Sequence, residues 1–374
     1  MKMKTFLVAA LATMTLAACS KDADTGTPGN TAKTNFEVAL PGALTTYAIE
    51  DPQAAGKITP FYNDVTVYLV DAGGNAVGYE WLDEEIAAKK KSFEQIAEPS
   101  KVIVIVNKYN ATLPDNTTTS GLATALGALT VANQNVAAKT TTSADAKGNA
   151  AGDYLSLQQV TLYGEAESGD FTPGTAHEGH TVKNATVELS SLVSRFEVGT
   201  VQAGTGLKSL TVKNVYINYF VNDYGRSTNQ SFTESTWPAT FTPAWATDAY
   251  DSEVTSVAGT KAYAYQVFAG ALVPHIIYQV DGTVEAGYKL ADGTGDADVD
   301  VNFTDKFITV KGFQIAGTSI TKIEPHKIYK MGLSGGGTVI KPGEITDKPE
   351  KNKIDLLVAI EVAEWTVQDV TAEI

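Results

Sequence analysis

Apolar residues in this chain recur at every second position in one stretch after another, and that period narrows its fold more than any other property. TNFEVALPG places Phe36, Val38 and Leu40 on one face. DVTVYLVDAGGN sets Val65, Val67 and Leu69 against Thr66, Tyr68 and Val70, then turns through Asp71-Ala72-Gly73-Gly74-Asn75. Extended chain points successive side chains to opposite faces, so both segments read as strands, the second as the first arm of a hairpin. KVIVIVNKYN is a nearly unbroken β-branched run, as in a strand covered on both faces. The same reading extends to YLSLQQVTLYG, TVKNATVELSSLVSRFEVGTV, LKSLTVKNVYINYFVN, TKAYAYQVFAG, PHIIYQVDGTV, DKFITVKGFQ, HKIYKMGL and IDLLVAIEVAEWTV. Two segments read as helices: Asp83–Ala97, with acidic residues first and lysines after them, and TSGLATALGALTVANQ. Short strands set off by Gly, Pro, Asn and Asp predict an all-β chain of antiparallel β-sandwiches, with one or two short helices in the first.

The start of the chain follows different rules. Lys2 and Lys4 precede an apolar run from Thr5 to Leu16. That run is shorter than the ~20 residues a membrane-spanning helix needs, so residues 1–18 are expected to be a signal peptide. Cys19, the one cysteine among 374 residues, follows Leu16-Ala17-Ala18 in a lipobox arrangement. A lone thiol closes no internal disulfide, and lipidation of Cys19 is the expectation. Two or more acyl chains, at ~0.8 kcal/mol per buried methylene, hold a protein on a bilayer. Residues 19–34 read as a polar tether. The remainder, at ~150 residues per domain, makes two domains, expected at 35–199 and 200–374.

The formal charge is −15, from 28 Lys and Arg against 43 Asp and Glu, and the arginines are Arg195 and Arg226. Nucleic-acid binding needs a basic footprint and is not expected; docking on anionic lipid is disfavoured as well. His177 and His180 lie in a Gly/Pro loop without the spacing of a zinc-protease helix, while His275 and His326 each follow a proline and read as structural. Asp292, Asp296, Asp298 and Asp300 lack the order and distal glutamate of a calcium loop and read as an acidic turn. No P-loop, nucleophile elbow or dinucleotide fingerprint occurs, so neither enzymatic activity nor a cofactor or metal is expected.

The two ends of the mature chain echo each other. Val370, Ala372 and Ile374 alternate as Phe36, Val38 and Leu40 do. Ile354, Leu356, Val358, Ile360 and Val362 share one parity, Trp365 and Val367 take the other, and the last residues return to the first. A one-residue slip turns side chains to the opposite face, so a break is expected near Gln368. From the residues alone, the segment beyond that break either leaves its own domain or packs at home as an edge strand.

In order along the chain, LAAC, NFEVALPG, NDVTVYLVDAGGN, KVIVIVN, VELSSLVSRFEV, YAYQVFAG, PHIIYQV, KIYKMGL and VAIEVAEWTVQDVTAEI resemble the fimbrillins, the FimA- and Mfa-like subunits of type V pili. The resemblance implies two transthyretin-like sandwiches, export as an outer-membrane lipoprotein, and removal of the N-terminal strand with its lipid by an outer protease. It further implies that the vacated groove accepts the C-terminal strand of an identical or related subunit, giving a head-to-tail extracellular filament that meets host or bacterial surface ligands. Carried over, the removed strand includes Phe36, Val38 and Leu40, and the donor includes Val370, Ala372 and Ile374. The family's protease commonly cuts after arginine, yet residues 20–60 contain none. Leu44-Thr45-Thr46-Tyr47 stands in that place and Lys57 is the nearest basic residue downstream, making Thr46 and Lys57 the candidate processing sites. Either another protease acts or the subunit keeps its lipid as an anchor. An alternative from another class is a non-polymerising lipoprotein that stacks glycans on Trp237, Trp245 and Tyr250.

Overall fold

The computed structural model describes residues 33–40, 45–46, 62, 64–108, 111–134, 160–175, 182–199, 201–239, 255–256, 260–261, 263–332, 338–351, 356–364 and 367–368. The fold is all-β: strands predominate among the described residues, where three short α-helices also occur. The first half runs β1 (Lys33–Ala39), β2 (Thr45–Thr46), β3 (Val65–Val70), β4 (Asn75–Glu80), α1 (Asp83–Ala88), β5 (Lys90–Ala97), β6 (Lys101–Val106), β7 (Asn116–Thr118), α2 (Thr119–Leu126), α3 (Val131–Gln134), β8 (Leu162–Glu167), β9 (Thr172–Pro173), β10 (Val182–Thr186) and β11 (Ser190–Ser191). The second half runs β12 (Val193–Val198), β13 (Val201–Ala203), β14 (Leu207–Asn218), β15 (Phe220–Val221), β16 (Asn229–Gln230), β17 (Thr255–Ser256), β18 (Thr260–Lys261), β19 (Tyr263–Phe268), β20 (His275–Val284), β21 (Val301–Ile315), β22 (Thr318–Ser319), β23 (Lys327–Met331), β24 (Thr338–Ile340), β25 (Leu356–Glu364) and β26 (Val367–Gln368).

The first half forms a six-stranded sheet, ordered β11-β8-β6-β3-β4-β7, and a four-stranded sheet, ordered β5-β1-β10-β9. The β-branched run of β6 lies between β3 and β8 with Val102 to Val106 all buried, as its composition predicts. Asp71 shapes the β3–β4 turn by accepting hydrogen bonds from the Gly73 and Asn75 amides at 2.8 and 2.9 Å. Tyr79 of β4 meets Phe93 of β5 edge to face, centroids 5.0 Å apart, which joins the two sheets through a shared apolar layer.

The helix expected over Asp83–Ala97 is six residues long and ends at Lys89, which takes a left-handed φ of 54°. The chain then becomes β5, whose ladder with β1 supplies backbone partners that a continued helix would have withheld from β1. Pairing across some fifty positions overrides the helix propensity of this Lys- and Glu-rich stretch. The second expected helix is present as α2 and α3, interrupted around Gly127.

The second half is built on one eight-stranded arrangement that folds back on itself. β14, β20 and β21, with the short β22 paired to β21, form one side and β23, β12 and β19 the other; β25 pairs in parallel with β21 through Leu356–Ala359 and antiparallel with β23 through Ile360–Glu364. Phe196 of β12 fills the interior, stacked on Tyr329 at 5.0 Å and tilted against Phe313 of β21 at 5.7 Å. Val193–Val198, which the sequence assigned to the first domain, pairs with strands from beyond residue 260, whereas Ser190–Ser191 pairs with β8.

Candidate functional site

β1 lies inside the four-stranded sheet, antiparallel to β5 and parallel to β10. Its alternation becomes burial: Phe36, Val38 and Leu40 are 1%, 0% and 5% exposed, and Asn35, Glu37 and Ala39 are half-buried. Phe36 stands opposite Phe93, and its ring meets Phe171 edge on at 5.0 Å. Val38 is flanked by Lys91 and Ala185. The ladder continues past the strand, for the Leu40 amide donates to the Lys89 carbonyl at 2.8 Å and the Val187 amide to the Ala39 carbonyl at 3.0 Å.

Charge frames this seat. Glu37 pairs with Lys90 at 3.2 Å on the outer face. Lys91, whose side chain is 13% exposed, reaches Glu85 at 2.6 Å and lies over the Phe93 ring, 6.0 Å from its centroid. α1 thus supplies the carboxylate that lets a lysine sit beside an apolar strand. Burying three side chains of this kind is worth ~1.5–3 kcal/mol each. Their sum is comparable to the whole stability of many domains, ~5–15 kcal/mol. An empty seat would expose both the β5 and β10 edges and the pockets beneath Phe36, Val38 and Leu40.

The other end of the chain is clamped before it enters β25. The buried Glu350 carboxylate accepts from His275 Nδ1 at 2.9 Å and Asn218 Nδ2 at 2.7 Å, and pairs with Lys311 at 3.2 Å. Burial alone would raise this carboxyl, but the His275 hydrogen bond and charge, with Asn218 and Lys311, outweigh it and hold it below the ordinary glutamate value. The His275 ring stacks on Tyr219 at 4.8 Å. Farther on, β26 pairs antiparallel with β2, Thr45 opposite Gln368 and Thr46 opposite Val367.

Phe36, Val38 and Leu40 therefore share one core, and Thr46 lies in β2 beside the terminal segment. Cys19, Lys57, Val370, Ala372 and Ile374 lie outside the described residues, as do His177 and His180. Trp237, offered as a glycan platform, packs edge-on against Tyr216 and Phe232 at 6.2 and 6.1 Å; Trp245 and Tyr250 lie outside the described residues. Asp292 pairs with Lys306, Asp300 pairs with Lys208, and no group of three metal-ligating side chains occurs among the described residues. Sequence reasoning missed β5 as the neighbour of β1; its signal was Phe93 between the exposed Ser92 and Glu94.

The sequence matches no protein-family profile and no curated protein. Among solved structures, a candidate cell adhesion protein of Parabacteroides distasonis is similar at 12% identity and TM-score 0.50, over 89% of this chain and 99% of that one. A fimbrilin of Porphyromonas gingivalis is similar at 15% identity and TM-score 0.44, over 90% and 99% of the two chains. A candidate cell adhesion protein of Bacteroides eggerthii is similar at 16% identity and TM-score 0.41, over 91% and 98%. The chain shares the fold of the Parabacteroides distasonis protein, and the solved structures it is similar to include fimbrilins and candidate cell adhesion proteins of the Bacteroidales.

Proposed function

We propose that this chain is a structural subunit of a cell-surface pilus, exported as a lipoprotein through Cys19 and polymerised by exchange of β1 for the terminal strand of another subunit. The observation that carries the reading is the position of β1, inside a sheet and close to the end of the mature chain, with Phe36, Val38 and Leu40 inward. A strand in that place can be withdrawn without breaking the path of the remaining chain, and its loss leaves two unpaired edges and an apolar groove. An incoming strand restores both. Val370, Ala372 and Ile374 have the spacing the vacated pockets require. Groove and donor are different surfaces, so the contact propagates head to tail.

Cleavage at Thr46 or Lys57 removes β1 from the chain. The β2–β26 pairing supports a link between the two ends, because processing at Lys57 removes β2 and frees the terminal segment in the same event. Two units are part of the proposal, and the change of partners between Ser191 and Val193 supports a boundary at Leu192 rather than near Gly199. A fluorescent peptide of Val367–Ile374 tests the reading: saturable binding to a chain begun at Ile58 and none to one begun at Ser20 is expected. Equal binding to both, or to neither, contradicts it.

A further inference from the structure

Among the described residues, β5 pairs with β1 alone, because the order β5-β1-β10-β9 puts it at an edge. Six residue pairs hold it there, from Lys33 opposite Ala97 to Ala39 opposite Lys90, with a bulge between Thr34 and Phe36. β10, on the other side of β1, also pairs with β9 and keeps that partner when β1 goes. Loss of β1 therefore leaves β5 as a single extended segment whose backbone groups must find other partners.

That segment is fastened at both ends by bonds that do not involve β1. The Trp81 amide donates to the Val65 carbonyl at 2.9 Å, and the Ser100 amide to the Val70 carbonyl at 2.8 Å. Between these anchors one residue, Lys89 with its φ of 54°, parts α1 from β5.

The same segment carries a helical period. At 100° per residue, Leu82, Ile86, Phe93 and Ile96 fall within an arc of about 80°. As β5 is built, Phe93 and Ile96 face opposite sides of a strand, and Leu82 stands 57% exposed. Asp83, Glu84 and Glu85 occupy the first turn, and Glu85 lies four residues before Lys89, both of which favour a helix that runs on. Length agrees as well. Val65 and Val70 are roughly 17 Å apart along β3, and a helix over Asp83–Ala97 spans about 22 Å, so one helix bridges the two anchors with neither displaced.

We propose that residues 83–97 are a two-state element: α1 and β5 while a strand fills the seat of β1, one continuous helix when that seat is empty. A helix of this length is marginal alone in water, and the apolar pockets that β1 vacates give its stripe a surface to close on. An emptied subunit thereby covers its own groove, and an incoming strand draws β5 back by restoring the ladder. The inference rests on the strand-exchange reading for what empties the seat; the switch itself follows from the pairing of β5.

Phe36→Asp together with Val38→Asp, in the chain from Ser20 onward, places two carboxylates at positions 1% and 0% exposed and expels β1. Backbone chemical shifts report residues 90–97. The expected result is helical shifts there, with the Val102–Val106 amides still protected from exchange, and a return to extended shifts when a Lys33–Leu40 peptide is added. Strand exchange predicts the same return with a Val367–Ile374 peptide; a response to the first peptide alone counts against exchange while supporting the switch. Extended or random-coil shifts in the variant, or helical shifts that neither peptide changes, overturn the proposal. Should β6 lose protection too, hydrogen exchange of the unsubstituted chain in mild urea decides: β1 and β5 amides are expected to open together and ahead of β6, and a β5 that outlasts β1 overturns the proposal.

Discussion

Replacing Phe36 by alanine in the chain that retains β1 removes a ring that is 1% exposed, seated against Phe93 and in edge contact with Phe171 at 5.0 Å. Truncating a buried phenylalanine costs ~3–5 kcal/mol through lost transfer energy and the cavity left behind. At a urea slope of ~2 kcal/mol/M, the lower half of that range moves the unfolding midpoint down by roughly 1.5–2 M. Glu37, the next residue, points outward to Lys90, whose side chain is 54% exposed, and Glu37→Ala is expected to cost below ~1 kcal/mol, or under about 0.5 M. The two halves of the chain need not unfold together, so hydrogen exchange at the Val102–Val106 amides is the readout, reporting the first half alone. Equal losses in the two variants, or a shift below about 0.5 M for Phe36→Ala, would refute the idea that β1 is held chiefly by its inward side chains.

Acid should weaken the clamp before β25. Glu350 is held below its ordinary value of 4.5, so its contribution is complete above about pH 4.5 and is lost as pH falls through the depressed folded value. Glu350→Gln should be less stable at pH 7 by ~1–3 kcal/mol and show a shallower loss below about pH 4.5, measured by thermal unfolding across pH. Gly164→Ala should cost at least ~1–3 kcal/mol in urea denaturation, since the added Cβ would lie 2.1 Å from the Glu188 carbonyl oxygen. At the junction of α1 and β5, Lys89→Gly should leave the melting temperature unchanged or higher, and Lys89→Val should lower it, because the residue holds φ at 54°.

Where neighbours in sequence decide the structure, the sequence was readable. The β3–β4 hairpin, the buried β6 and the inward face of β1 follow from period-two alternation and turn residues alone. Features decided by distant partners were not. β5 is rich in good helix formers and becomes a strand because β1 needs a neighbour on that side. The parity slip near Trp365 was visible, but not that β25 passes from β21 to β23 within nine residues. Glu350 reads as one more acid in a loop until His275, Asn218 and Lys311 converge on it.

Strand exchange is tested most directly by comparing the chain begun at Ser20 with the chain begun at Ile58 on unboiled, non-reducing gels and by negative-stain microscopy. Ladders and fibres from the shorter form alone, abolished by deleting Thr366–Ile374, are the predicted result. Fibres from the longer form, fibres that survive the deletion, or no fibres from either form would contradict it.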